Sequence, residues 1–206
     1  IRKKIYKENT NGRNIQIEYP VLEGGIYSKE DTAVMAANTI VWDTLLTWLH
    51  HTYGEAGSSD TPLTLHMKSQ VLAADNRFFR VVTTGVGYIR GNPYPQNWLV
   101  SVNVDLATGQ RIRLADMYRI EAAFVQTYRQ RAEEQWKDDA GRLAWLEEQS
   151  DSALQCLLMS CDDIISGGWS YQKDRHVVIS LPCPHALGDY TTVAIPLASL
   201  EKFAEK

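Results

Sequence analysis

The stretch LHMKSQVLAADNRFFRVVTTGVGYIRGNPYPQNWLVSVNVDLATGQRIRLADMY, residues 65–118, decides the fold. Leu63 to Ala73 alternates apolar and polar residues, as a half-buried strand does. Asp75-Asn76 turns the chain, and Phe78 to Ile89 reads as the returning strand. A crossing rich in Gly, Pro and Tyr follows, and Trp98 to Val104 is a third strand. Three long strands in succession make an antiparallel meander. Asp105 can accept hydrogen bonds from turn amides, with Gly109 supplying a positive φ. The chain then re-enters as Arg-Ile-Arg-Leu and opens a helix at Ala115-Asp116, where Asp116 is placed to cap.

Upstream, Lys3 to Lys7 and Arg13 to Tyr19 alternate around Asn9-Thr10-Asn11-Gly12. Asn-Gly between alternating runs is the strongest short hairpin signal. Tyr19-Pro20 ends the second strand, since proline removes a ladder donor. Ser28 to Tyr53 reads as a long helix with Ser28 as N-cap and Gly54 as stop. Its stripe of Val34, Ala37, Ile40, Val41, Leu45, Trp48 and Leu49 needs a sheet to cover, so the hairpin joins a larger one. A loop at Gly57-Ser58-Ser59-Asp60 leads into the meander.

Downstream, two amphipathic helices are expected around Phe124 to Trp136 and Leu143 to Met159, with Gly167-Gly168 ending the helical region. Trp169 to Leu181 reads as a hairpin turning at Lys173-Asp174. Tyr190 to Ile195 is a short strand, and Pro196 opens a closing helix. The fold class is α+β: a mostly antiparallel sheet of hairpin, three-stranded meander and C-terminal hairpin, packed against a long N-terminal helix and a later helix pair. No linker is visible, so residues 1–206 read as one α+β domain, with sub-structure at 1–55 and 60–206.

The composition is that of a globular protein, with 44% hydrophobic and 22% charged residues in 206. A formal net charge of -4 and a pI near 5.7 argue against a nucleic-acid binder. No segment approaches the roughly 20 apolar residues of a membrane span. The chain begins at Ile1 on a basic amphipathic strand, as a chain trimmed of its leader or membrane anchor would. Cys156, Cys161 and Cys183 read as small apolar residues, with a bridge from Cys183 to one of the others as the rival. Cys156 and Cys161, if on one helix, lie about 140° apart around its axis. No zinc-binding spacing accompanies them.

Enzyme motifs are absent: no phosphate-binding loop, dinucleotide fingerprint, zinc-protease helix or nucleophile elbow. His50 and His51 are adjacent near a helix end and suit its dipole. His66 and His176 read as strand residues. Asp138-Asp139, Glu133-Glu134, Glu147-Glu148 and Asp162-Asp163 read as solvated helix surface. The crossing is the place with a functional character. Tyr88, Arg90, Asn92, Tyr94, Asn97 and Trp98 set aromatic and amide groups on a stiff loop, a mixture suited to sugar stacking or to a protein hot spot.

The order of elements resembles a known domain. A hairpin ending in I-x-Y-P, a long helix, a meander, a Gly/Pro crossing and N-x-D-L-x-T-G-x-x-x-x-L-x-D are similar to the bacterial extracytoplasmic domain of RsiV-type anti-sigma factors. The same domain precedes the catalytic domain of PdaC-type peptidoglycan deacetylases, and its wider family is of unknown function. P-x-P-H-A-x-G-D-Y and V-x-I-P-L-x-x-L fit its closing part, so the resemblance spans Ile15 to Phe203. Two positions depart from the pattern. Tyr94 stands where many relatives carry histidine, and His185 where an aromatic residue is usual.

The resemblance implies a non-catalytic binding or sensing module at the bacterial cell envelope, secreted or anchored upstream. The implied ligand is a lysozyme-like protein or peptidoglycan, with no cofactor or metal in this segment. The alternative from the residues is a hydrolase whose site assembles around His185 and Asp189.

Overall fold

In the computed structural model, which describes residues 1–10, 12–28, 30–55 and 62–205, the chain divides into two compact units, Ile1–Arg111 and Ile112–Lys206. The first opens with the expected hairpin, β1 (Arg2–Thr10) and β2 (Arg13–Val21), paired antiparallel from Thr10–Arg13 to Arg2–Val21. Gly12, at φ +80°, sits in the turn, and Asn11 and the loop at Gly57 to Asp60 lie outside the described residues. The ladder with β1 runs through Pro20 to Val21, beyond the expected end, whereas pairing on the other side of β2 stops at Glu18–Lys68. Proline lacks a donor for only one neighbour, which accounts for the asymmetry.

Helix α1 (Thr32–Tyr53) starts four residues later than expected. Its N-cap is Asp31, whose carboxylate accepts from the amides of Ala33 and Val34, while Ser28 Oγ accepts from Glu30 N. Gly54 ends the helix at φ +76°, donating to His50 O at 2.8 Å. The helix connects β2 to β3 (Leu63–Ala74), which pair in parallel, forming a β-α-β unit. β3, β4 (Phe78–Ile89) and β5 (Gln96–Asp105) are the expected meander. β6 (Gln110–Arg111) completes a six-stranded sheet in sequence order. The Asp105 turn forms as read, with Ala107 N donating to Oδ1 at 2.7 Å and Gly109 at φ +68°.

Strand alternation buries Ile15, Ile17, Leu65, Met67, Val81, Val100 and Val102 on one face. They form a core with the α1 stripe of Val34, Ala37, Val41, Leu45, Trp48 and Leu49. Each Val, Leu, Ile or Met among them contributes roughly 1.5–3 kcal/mol by leaving water.

The second unit holds the remaining helices and a three-stranded sheet of β7 (Trp169–Lys173), β8 (His176–Pro182) and β9 (Tyr190–Pro196), all antiparallel. α2 (Leu114–Met117) is a single turn in which Asp116 is the third residue and accepts from Arg113 N at 2.9 Å. The cap therefore works from inside the helix that Asp116 belongs to. α3 (Ala122–Gln135) matches the first expected helix. The second divides into α4 (Ala140–Glu148) and α5 (Asp151–Met159), because Ser150 caps a new start. Arg129 secures the break, donating to Asp151 Oδ1 at 2.6 Å and to the carbonyls of Leu146 and Gln149. α6 (Leu197–Leu200) follows Pro196.

The core of this unit joins Phe124, Tyr128 and Leu158 to the inner residues Val177, Ile179, Val193 and Ile195 of the sheet. Cys161 lies past the end of α5, so it does not share a helix with Cys156. All three cysteines are unbridged: Cys156 exposed, Cys161 buried and Cys183 half-buried. No described helix is long and apolar enough to cross a membrane.

Candidate functional site

The end of the β4–β5 hairpin is built by a pair of glycines and a tryptophan. The last ladder pair is Gly87–Gln96, so residues 90–95 form the loop. Arg90 N donates to Pro62 O at 2.9 Å and Asn92 N to Ile89 O at 3.0 Å, and Gly91 adopts φ +100°. Trp98 lies opposite Gly85 and turns toward α1. Its ring meets Trp48 edge-on at 5.3 Å and Tyr53 at 6.0 Å, and its Nε1 donates to Tyr53 Oη at 2.5 Å. A Cβ at Gly85 would sit 2.1 Å from the His66 carbonyl, a backbone atom that cannot yield. One at Gly87 would strike Tyr53 Oη, also at 2.1 Å. The glycines thus clear the space that the aromatic trio fills.

This arrangement separates the residues singled out in the crossing. Trp98 stands behind the loop as its support. Tyr88 and Asn97 project from the opposite face, since Val86, paired with Asn97, and Tyr88 share that parity. Arg90, Asn92 and Tyr94 are exposed in the loop itself. Tyr94 is 58% exposed, Val86 45% and Tyr88 40%, so the loop does not fold its rings down onto the sheet.

His185 and Asp189 do come together. His185 Nδ1 and Asp189 Oδ1 are 2.8 Å apart across a short 3-10 turn, with side chains 41% and 13% exposed. Gly188 at φ +104° and Asp189 at φ +72° make the bend, and Cys183 N donates to Asp189 O at 3.0 Å. Arg142, paired with Asp139 at 3.1 Å, donates to Leu187 O at 3.4 Å. Burial pushes the neighbouring Cys183 thiol up to about 11, which leaves it protonated at neutral pH. The pair fastens a loop, and no described group of His, Cys, Asp or Glu is arranged to hold a metal ion.

Two buried polar constellations escaped the sequence reading. Arg13, 1% exposed, donates to Glu8 Oε1 at 2.7 Å and to the carbonyls of Tyr53 and Gly54 at 2.9 and 3.2 Å. A guanidinium thus satisfies the end of α1, where the helix dipole favours a cation. Tyr6 Oη donates to Glu8 Oε2 at 3.0 Å. The signal was present in strand parity, because Arg13 shares its face with Ile15 and Ile17. Asp162, read as solvated, is buried. Its carboxylate accepts from Leu114 N at 3.0 Å, Ser170 N at 2.8 Å and Ser170 Oγ at 2.5 Å, joining α2 to β7. Nothing local marks it, since Leu114 lies 48 residues away and Ser170 lies beyond the turn, on β7.

Three described hollows are lined by the first unit, the smallest, about 230 Å³, beside Val21, Met35 and Asn38. Another of about 280 Å³ lies between Tyr27, Asp31, Val34 and Asp75. The third, about 400 Å³, opens where β2 and β3 part beyond Glu18, beside Tyr19 and Ser69.

The architecture is that of DUF3298-family structures, a class of domain without an assigned activity. A DUF3298 family protein from Pseudomonas aeruginosa PAO1 aligns over 99% of this chain and 94% of its own, with a TM-score of 0.61 and 10% identity. A member of the family from Bacteroides fragilis NCTC 9343 aligns over 100% and 94%, with a TM-score of 0.62 and 11% identity. At such identities the likeness is one of fold. No family model and no curated protein matches the sequence.

Proposed function

We propose that this chain is a non-catalytic binding or sensing module acting outside the cytoplasm at the bacterial cell envelope. Its ligand is a protein or a cell-wall glycan. The observation that carries the reading is the exposure of Tyr88 and Tyr94 beside Arg90, Asn92 and Asn97 on a hairpin end braced by Trp98. Exposed rings next to amides and a guanidinium are the usual composition of a recognition surface. The resemblance of the sequence to RsiV-type and PdaC-type extracytoplasmic domains supports the setting, and the DUF3298 fold is compatible with it.

Titration of the chain with lysozyme and, separately, with soluble peptidoglycan fragments tests the proposal. Binding to one of them should be lost in Tyr88→Ala and Tyr94→Ala while the melting temperature stays unchanged. Failure of both ligands to bind would remove the reading. The hydrolase alternative rests on the 2.8 Å contact of His185 with Asp189. It requires a hydrolytic turnover that His185→Ala abolishes.

A further inference from the structure

The face of the first unit's sheet that turns away from α1 carries an ordered polar surface. Ladder register fixes which side chains stand in line across it. Lys7, Gln16, His66, Val86 and Asn97 are successive partners across β1 to β5. Asn14, Thr64 and Tyr88 form the row beside them. Glu18, Lys68 and Thr84 form the row on the other side. His66, Lys68, Thr84, Val86, Tyr88 and Asn97 are all exposed. Neighbouring strands are about 4.8 Å apart. A pyranose ring is of similar length, so a sugar chain lying across the strands would meet one side chain of a row per residue.

The chemistry of the rows is selective. Amide, imidazole and hydroxyl groups pair with sugar hydroxyls both as donors and as acceptors. The Tyr88 ring offers a face for stacking. The acid within the rows, Glu18, is engaged by Lys3 at 2.7 Å. Lys7 and Lys68 have no ion-pair partner among the described residues. A chain of net charge -4 therefore presents a locally positive face. A cationic protein would be repelled there, and an anionic ligand attracted.

We infer that this open sheet face binds a carboxylate-bearing glycan strand laid across β1 to β5, with Lys7 and Lys68 meeting its acid groups and Tyr88 stacking on a sugar ring. This rests on the binding reading above and selects its glycan branch.

The test uses the whole chain and three probes: an oligogalacturonate, an uncharged chitin oligosaccharide and poly-L-glutamate. Calorimetry gives affinities, and amide chemical shifts locate the contact. The oligogalacturonate should bind at least about tenfold more tightly than either other probe, with shifts on Gln16, His66 and Val86. Lys7→Gln with Lys68→Gln should weaken it about tenfold or more, in keeping with two charge contacts screened by salt. Lys137→Gln, in the second unit, should leave it unchanged. Absence of oligogalacturonate binding would overturn the inference. Equal binding of poly-L-glutamate would do so too, because the face would then recognise charge and not sugar. If peptidoglycan fragments or lysozyme bind with shifts confined to residues 90–95 and no effect of the double variant, this inference fails while the binding function stands.

Discussion

Arg13 serves three partners in the first unit. It neutralises Glu8 and closes the last carbonyls of α1 at once. Breaking a buried pair on one side strands the other charge, at a cost of about 3–5 kcal/mol. Arg13→Met should lower stability by that amount in urea unfolding, and Tyr6→Phe, which removes one hydrogen bond to Glu8, by about 1 kcal/mol. Asp75 gives a pH signature. Amides of Phe78 and Arg77 donate to its carboxylate and hold it below the ordinary carboxylate value. A depressed carboxylate stabilises fully above its unfolded value, and the contribution is lost as pH falls through the folded one. Asp75→Asn should flatten the acid limb of stability against pH, measured by melting between neutral and strongly acid solution. The turn at Asp75 was legible because Asp-Asn carries its own hydrogen-bonding geometry. Glu8–Arg13 was legible only by parity, and Asp162 not at all.

The helices and strands tell where local signals suffice. The α1 stripe and its Gly54 stop follow from residues within the helix, and both are observed. Its start does not, because Ser28 and Asp31 are both competent caps. Asn38, two turns into the helix, holds the incoming chain by accepting from Leu22 N at 2.7 Å and donating to Leu22 O at 3.0 Å. That anchorage fixes Leu22 against the helix, and Asp31 takes the cap. Asp31→Ala should cost about 1 kcal/mol and Ser28→Ala only a few tenths, compared by denaturant midpoints. The β7–β8 turn is centred on Asp174-Arg175, at φ +47° and +62°, one residue beyond the expected position. Two consecutive positive φ values match the twist of the flanking strands, which outweighs composition at the turn.

At the scale of the molecule, the first unit's sheet combines local and distant pairings. The β3–β4 hairpin closes over a short turn, whereas β2 meets β3 only after the whole of α1 has been traversed. Ordering that longer segment delays the parallel contact. Ile15→Ala and Val81→Ala should each destabilise by a few kcal/mol. Stopped-flow kinetics should show Ile15→Ala acting mainly on unfolding and Val81→Ala also slowing folding. Equal effects of both on the folding limb would contradict this order.

Local order in the chain determined the elements, the faces they bury and the exposed aromatic loop, because periodicity and turn chemistry act between residues a few positions apart. The tertiary structure decided which strand lies beside which, the turning of Trp98 away from Tyr88 and Asn97, and the partners of Arg13 and Asp162. Several of those outcomes join groups 40 or more residues apart, as Arg13 with Tyr53 and Asp162 with Leu114 do. Only a closed fold brings such groups within hydrogen-bonding reach, where burial makes leaving them unpaired costly.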